Sequence, residues 1–94
     1  MVIGACEVRL IIIGARSLKE KRKVLKSVKD RISRMNVSVA EVGDNDKWQA
    51  ATLGITLVSN ETAFINSVID KIIQGIEESG EVEILSSRIE IMHL

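Results

Sequence analysis

The chain has 94 residues, 46% of them apolar and 28% charged, with one cysteine, one phenylalanine, one tryptophan, no tyrosine and no proline. This length suffices to bury one modest core, and a single cysteine excludes an internal disulfide. The longest apolar run, residues 10–13, is too short for a membrane span, and no signal-peptide pattern opens the chain. We therefore predict one domain over residues 1–94, in a cytoplasmic protein that does not enter membranes.

Charge is strongly segregated along the chain. The formal net charge is zero, from thirteen basic and thirteen acidic residues. Residues 16–34 hold nine of the basic and two of the acidic residues, a balance of +7. The other residues, with four bases and eleven acids, sum to −7. One basic element is therefore suited to meet a polyanion that the rest of the molecule repels.

The first predicted elements are a strand and a helix. Alternating apolar residues predict a strand from residue 6, with one face formed by Cys6, Val8, Leu10 and Ile12. After a break at Gly14, Ser17 and Glu20 have the spacing of a capping box, in which each side chain accepts a hydrogen bond from a free backbone N–H. Apolar residues at helical spacing predict a helix over about residues 18–34: Leu18, Val24, Leu25, Val28, Ile32 and Met35.

Two further strands follow, separated by a turn. Asn36 ends the helical pattern, and residues 37–42 alternate as a second strand. The polar composition of residues 43–47 predicts a turn. A third strand follows, with one face formed by Ala51, Leu53, Ile55 and Leu57.

The last predicted elements are a second helix and a fourth strand. Ser59 and Asn60 are good N-caps, and Gly80 is expected to end the helix. Its wide apolar stripe consists of Phe64, Ile65, Val68, Ile69, Ile72, Ile73 and Ile76. Residues 82–94 then form a strand with an irregularity at Ser86 and Ser87, where the alternation changes phase.

The order strand, helix, strand, strand, helix, strand predicts an α+β fold of ferredoxin-like βαββαβ type, a four-stranded antiparallel sheet with two helices on one face. The other face of the sheet would then expose Glu7, Arg9, Ile11, Thr52, Thr56, Arg88, Glu90 and Met92. This mixed surface is suited to pairing with a second copy, which predicts a homodimer through the open sheet face. It lacks the aromatic residues of an RNA-recognition sheet.

Three segments resemble blocks of one bacterial family. They are Ser-Leu-Lys-Glu-Lys-Arg at residues 17–22, Asn-Val-Ser-Val-Ala-Glu-Val at residues 36–42, and Asp-Lys-Trp-Gln at residues 46–49. Together they make the chain similar to the YlxP-like family, a domain of unknown function (number 503). The resemblance implies the ferredoxin-like fold. It also implies a link to RNA or the ribosome, because members are often encoded beside genes for translation initiation and ribosome maturation.

The first helix carries the candidate binding site. Most of its basic residues fall on one continuous arc, interrupted only by Asp30. Such an arc is suited to phosphates, with salt-dependent affinity and no reading of sequence; alternatively it is a solvated face or docks the acids of a partner. The predicted nucleic-acid-binding residues are Arg16, Lys19, Lys21, Arg22, Lys23, Lys26, Lys29 and Arg34.

Lys21 differs from the other bases because the helical projection places it in the centre of the apolar stripe. Near the first turn of the helix it could hold a phosphate or carboxylate together with free N–H groups. Alternatively, its side chain forms an internal ion pair or extends past the core to solvent. Both interpretations stay open at this point.

The segment after the second strand is a candidate partner contact, through Asp46, Trp48 and Gln49. The indole either presents an aromatic platform to a base or a partner, or folds over the edge of the core. The acids nearby lack the later ligands of a calcium loop, and no zinc-ligand spacing exists, so we predict no metal and no cofactor.

No catalytic constellation is visible in the sequence. Cys6 alternates with core residues and His93 is the penultimate residue, so they would need to meet across paired strands, and no third group orients them. We therefore predict a non-catalytic module that binds RNA or the ribosome through the first helix. The alternatives are a protein-interaction or oligomerisation module and, third, a small-anion or metabolite sensor centred on Lys21.

Overall fold

The computed structural model describes residues 1–94 and has the predicted element order. The strands are β1 (Val2–Ile12), β2 (Ser38–Gly43), β3 (Ala50–Ser59) and β4 (Val82–His93); the helices are α1 (Leu18–Ser33) and α2 (Thr62–Glu78). The sheet order is β2-β3-β1-β4, and all neighbouring strands are antiparallel. The predicted ferredoxin-like α+β fold is confirmed.

One irregularity lies in β4, near the predicted position. Arg9 of β1 pairs with Ser86 and Leu10 pairs with Ile84, so Leu85 is an extra residue in β4. The bulge therefore lies one residue before the two serines where the alternation changes phase. A bulge keeps apolar residues on both sides of it facing the core, which explains the change of phase.

A second irregularity, which the alternation did not predict, lies at the end of β2. Glu41 pairs with Leu53 and Gly43 pairs with Thr52, so Val42 is the extra residue. The bulge bends the chain as it leaves the sheet. The loop of residues 44–49 follows, and its first residue, Asp44, contacts both faces of the sheet edge.

The core lies between the sheet and the two helices. It is aliphatic, and its helical members are Leu25, Val28, Ile32, Ile65, Val68, Ile69, Ile72 and Ile76. Gly4 lets α2 approach the sheet closely, because a side chain at this position would collide with Ile65. Neither helix is long and apolar enough to cross a lipid bilayer.

The sequence pattern predicts Phe64 in the buried stripe of α2, but in the structure Phe64 does not belong to that stripe. Its side chain is 54% exposed. It lies about 100° around the helix from Ile65, at the margin of the stripe. Large size and apolar character therefore did not place it inside.

The ends of α2 differ partly from the prediction. The N-cap is Glu61, which makes no capping hydrogen bond, rather than Ser59 or Asn60. The Ser59 hydroxyl instead accepts a hydrogen bond from the Glu61 N–H at 3.2 Å, within the turn before the helix. At the other end Gly80 has a φ of 75°, a conformation that glycine adopts without strain, and it ends the helix as predicted.

Candidate nucleic-acid interface

The first turn of α1 is capped by side chains. The Ser17 hydroxyl accepts a hydrogen bond from the Glu20 N–H at 3.1 Å. The Glu20 carboxylate accepts from the Arg16 N–H, one residue earlier than a capping box requires. The expected pair of caps is therefore present in altered form, and it fixes the backbone where the basic segment begins.

Along α1 and at its two ends, seven basic residues form a surface that we call the basic face. Lys26 is its only member with an ion pair, 3.6 Å from Asp30 on the next turn of the helix. Both partners of that pair are largely exposed, so it contributes little. The members of the basic face, exposed except for the half-buried Lys29, are Arg16, Lys19, Arg22, Lys23, Lys26, Lys29 and Arg34.

Lys21 does not belong to the basic face, although the sequence analysis grouped it there. Its side chain is only 2% exposed, and its ammonium lies 2.8 Å from Glu41 Oε2. Lys21 Nζ also donates a hydrogen bond to the Asp44 carbonyl at 2.6 Å. The geometry matches the internal ion pair that was one of the two predicted alternatives, and it leaves no free charge for a phosphate or a small anion.

Glu41 is the partner of Lys21, and the sequence pattern did not identify it. It follows Val37 and Val39 at two-residue spacing, so it faces the helices from β2. Its Oε2 atom makes no hydrogen bond of good geometry, so the contact with Lys21 is an ion pair. An acid on the inward face of a strand, together with a lysine in an apolar stripe, is the signal that would have predicted this pair.

Asp44 connects the two faces of the sheet edge. Its φ is 60°, a left-handed conformation that aspartate tolerates better than most residues. Its carbonyl bonds Lys21 on the helix side, whereas its carboxylate accepts from the Thr52 hydroxyl at 2.9 Å on the open side. Thr52 is therefore buried, not exposed as predicted. Lys47 lies 3.1 Å and Arg9 3.9 Å from the carboxylate.

These contacts change the pKa of the Asp44 carboxyl. The hydrogen bond from Thr52, followed by that from Lys47, holds the pKa of Asp44 below its ordinary value. The carboxylate is therefore charged at neutral pH and balances nearby cations of the loop and of β1. Its role is to hold the loop against the sheet.

The rest of the loop reaches the segment before α1. The Gln49 amide donates a hydrogen bond to the Ala15 carbonyl at 3.0 Å, and the Gln49 carbonyl accepts from the Ile12 N–H at 2.9 Å. Trp48, next to Gln49, is 55% exposed, and its indole N–H makes no hydrogen bond within the chain. It therefore does not fold over the core. Asp46 is exposed and forms no ion pair.

The three segments that carried the family resemblance thus converge at one end of the molecule. Lys21 comes from the first segment, Glu41 from the second, and Gln49 from the third, and the side chains of Lys21 and Gln49 each contact a distant part of the chain. Together with Asp44 and Thr52, these three residues form the loop network, which consists of Lys21, Glu41, Asp44, Thr52 and Gln49. It sets the position of Trp48 and of the start of the basic face.

Cys6 and His93 do not meet. β4 does pair with β1, but His93 lies opposite Val2, whereas Ile89 lies opposite Cys6. Four residues along a strand are about 13 Å. Burial also raises the pKa of the Cys6 thiol, so it stays protonated at neutral pH. No group of three or more His, Cys, Asp or Glu side chains is arranged to hold a metal ion.

The sheet topology and the loop network define a ferredoxin-like α+β protein whose first helix is locked to the loop between β2 and β3. The chain belongs to the family described as "Protein of unknown function (DUF503)", which matches residues 3–89. It is 37% identical over 90 residues to the "Uncharacterized protein YlxP" of Bacillus subtilis (strain 168), covering 95% of this chain and 98% of that protein. The predicted family is confirmed.

Two solved structures share the fold. One is the de novo designed protein LFR1 1 with ferredoxin fold, with a TM-score of 0.57, 19% identity, and coverage of 98% of this chain and 84% of the designed one. The other is a dimeric ferredoxin-like protein from an uncultured marine organism, with a TM-score of 0.52, 4% identity, and coverage of 100% and 98%. At these identities the likeness concerns the fold alone.

Proposed function

We propose that this protein is a non-catalytic, cytoplasmic module that binds structured RNA, including ribosomal RNA, through the basic face of α1. The observation that carries the proposal is the set of exposed cations on one side of α1, of which only Lys26 is paired within the chain. Lys19 and Lys29 alone are separated by about 15 Å of helix. A surface of this length meets several phosphates of a nucleic acid at once.

The fold itself does not require these charges. Lys19 and Lys23, like Arg22 and Lys26, are four residues apart, and like charges at this spacing repel each other. Cations in the first turns also lie at the positive end of the helix dipole, which disfavours them. Bound phosphates would offset both penalties, whereas a merely solvated face would have no need to incur them.

Trp48 adds a feature that distinguishes RNA loops from a plain polyanion. Its exposed indole lies in the loop that Gln49 bonds to the segment before α1, at the end where the basic face begins. Unpaired bases of RNA stack on such rings, whereas bases inside a duplex are not accessible. We therefore favour RNA with single-stranded loops over a DNA duplex.

The first test compares two double charge reversals that change the net charge of the protein by the same amount. Lys19→Glu with Lys23→Glu alters the basic face, while Lys71→Glu with Arg88→Glu makes the same change elsewhere on the surface. Anisotropy of labelled ribosomal RNA fragments, measured across a salt series, reports affinity. We expect only the first pair to weaken binding, and to lower the salt slope by about one for each phosphate that the variant no longer neutralises.

Stability should change little in this test, because the two glutamates repel each other as the two lysines did, and the one at residue 19 is favoured by the helix dipole. Equal affinities of the two double variants would refute the proposal. Trp48 provides a second readout, since it is the only tryptophan and the chain has no tyrosine. Quenching of its fluorescence by RNA loops, but not by a DNA duplex, is the expected result.

A second candidate function is self-association through the open sheet face. Ile3 pairs with Val58 on one side and Met92 on the other, so the three side chains form an apolar row on that face. Val58 and Met92 are exposed. One structural neighbour is described as a dimeric ferredoxin-like protein. Sedimentation of wild type and Val58→Glu tests this proposal: a dimer that the substitution converts to a monomer supports it, and a wild-type monomer refutes it.

A further inference from the structure

A groove separates α1 from α2 on a side of the molecule that the basic face reaches only through Arg34. Its volume is about 270 Å³. Apolar side chains from both helices line it, among them Ile32, Met35 and Ile72. The charged residues of the lining, Arg31, Arg34 and Lys71, are all basic. The groove therefore combines apolar side chains with charge of one sign, which is positive.

The three cations have no partner within the chain. None of them takes part in any of the ion pairs of the molecule, and all three are exposed. Cations gathered around an apolar surface attract a ligand that carries negative charge beside apolar groups. Charge complementarity thus specifies the chemistry of the occupant.

Gly75 keeps the groove open. It lies inside α2, where glycine is a poor helix former. A Cβ atom at this position would meet no atom within 4 Å, so no packing within the chain requires a glycine here. The glycine therefore leaves room beside α2 for an atom of another molecule.

We propose that this groove binds a short amphipathic helix of a partner protein, with acidic residues beside its apolar anchors. Each helix lines the groove over about two turns, roughly 12 Å. This length matches anchors at positions i, i+4 and i+7 of a docked helix. The proposal does not depend on RNA binding, and Arg34 alone borders both surfaces.

The probe is a synthetic peptide of about 15 residues, long enough to form a helix. It carries leucine at i, i+4 and i+7 and glutamate at most other positions. Two control peptides replace the leucines by serine or the glutamates by lysine. Fluorescence anisotropy of the labelled peptides against the full chain measures binding. We expect the acidic leucine peptide to bind at least about tenfold more tightly than either control.

Two variants test whether the groove is the site. Gly75→Leu fills the groove without changing charge, and should reduce affinity at least about tenfold while leaving the melting temperature no lower, because leucine is a better helix former. Lys71→Glu should also reduce affinity for the acidic peptide, and Lys71 lies outside the basic face. Lys19→Glu with Lys23→Glu is the control, and should leave peptide affinity within about twofold.

Three results would overturn the proposal. They are equal binding of the serine and leucine peptides, binding unchanged by Gly75→Leu, and a wild-type dimer that Gly75→Leu converts to a monomer, since a second copy would then be the occupant. Gly75→Leu should leave RNA affinity unchanged. Loss of peptide binding in this variant with intact RNA binding therefore separates this proposal from the proposed function.

Discussion

Helices α1 and α2 pack against the same face of one sheet, but they are attached in different ways. α2 contributes only aliphatic side chains to the core, from Ile65 to Ile76. α1 is aliphatic in its second half, whereas its first half is held by the buried Lys21 and by polar contacts with the loop between β2 and β3. The beginning of α1 therefore depends on directed contacts, and the whole of α2 depends on buried area.

This difference accounts for the surfaces that the two helices present. Polar contacts fix the direction of a helix end with few side chains, so most positions in the first half of α1 are free to carry charge. Burial of apolar area has no such direction, and α2 uses a wide stripe of its surface to achieve the same stability. The candidate RNA interface lies on the helix end that is positioned by the loop network.

The largest expected effect on stability comes from a substitution that removes apolar contacts of α2. Ile69 is buried in the centre of its stripe, and Ile69→Ala leaves a cavity there. We expect the free energy of unfolding to fall by about 4 kcal/mol. Urea denaturation followed by circular dichroism measures the change. A loss below about 1 kcal/mol would mean that α2 does not depend on its apolar stripe.

The next effect tests the polar attachment of α1. Glu41→Leu leaves the Lys21 ammonium buried without its counter-charge, and we expect a loss of about 3 kcal/mol because Glu41 itself is 18% exposed. Combining it with Lys21→Met removes both charges, and the double variant should recover to within about 1 kcal/mol of wild type.

A double-mutant cycle in urea measures this coupling. If the double variant is as unstable as Glu41→Leu alone, the ion pair is not what holds the start of α1. RNA binding gives a second readout, since a displaced α1 terminus should lower affinity in Glu41→Leu although the basic face is unchanged.

A smaller effect of opposite sign is expected in α2. Gly75→Ala improves helix propensity at a site where the added methyl group meets nothing, so the free energy of unfolding should rise by about 0.8 kcal/mol. Gly80→Ala is the matched control, and should be destabilising because Gly80 has a φ of 75°. Thermal melts of both variants measure these changes in stability. If Gly75→Ala were destabilising, the space beside Gly75 would not be open.

The smallest effect is present at neutral pH and is lost in acid. Because the pKa of Asp44 is lowered in the folded state, its contribution to stability is complete above the ordinary value of 3.8 and is lost as the pH falls through the lowered value. Thr52→Val removes the main cause. The difference in stability between wild type and Thr52→Val should therefore shrink as the pH falls below 3.8. A difference independent of pH would show that Asp44 is not involved.

Much of the fold was predictable because its signals are local. Strand alternation and helical spacing depend on near neighbours in the chain. The six elements follow from them with bounds close to those observed, except that β1 begins at Val2 and not at residue 6. The bulge in β4 was predicted within one residue, since it changes the phase of alternation. The misplaced features, Phe64 and the N-cap of α2, are edge positions, where packing rather than pattern decides.

The candidate site was predictable in part. The basic face follows from composition and helical projection, and Lys21 was recognised as different from its neighbours. Its partner was not identified, although Glu41 occupies an inward position of β2. A sequence pattern shows which way a side chain faces, but which inward side chains meet depends on how α1 crosses the sheet.

The sequence by itself determined the order of the elements, the concentration of positive charge on α1 and the family, because these depend on residues close together in the chain or on identity with relatives. Only the tertiary structure decided that Lys21 pairs with Glu41, that Asp44 contacts both sides of the sheet edge, and that Gly75 opens a groove beside Lys71. Each of these requires strand register and helix packing, which bring together residues that are distant in the chain and leave no periodic trace in it.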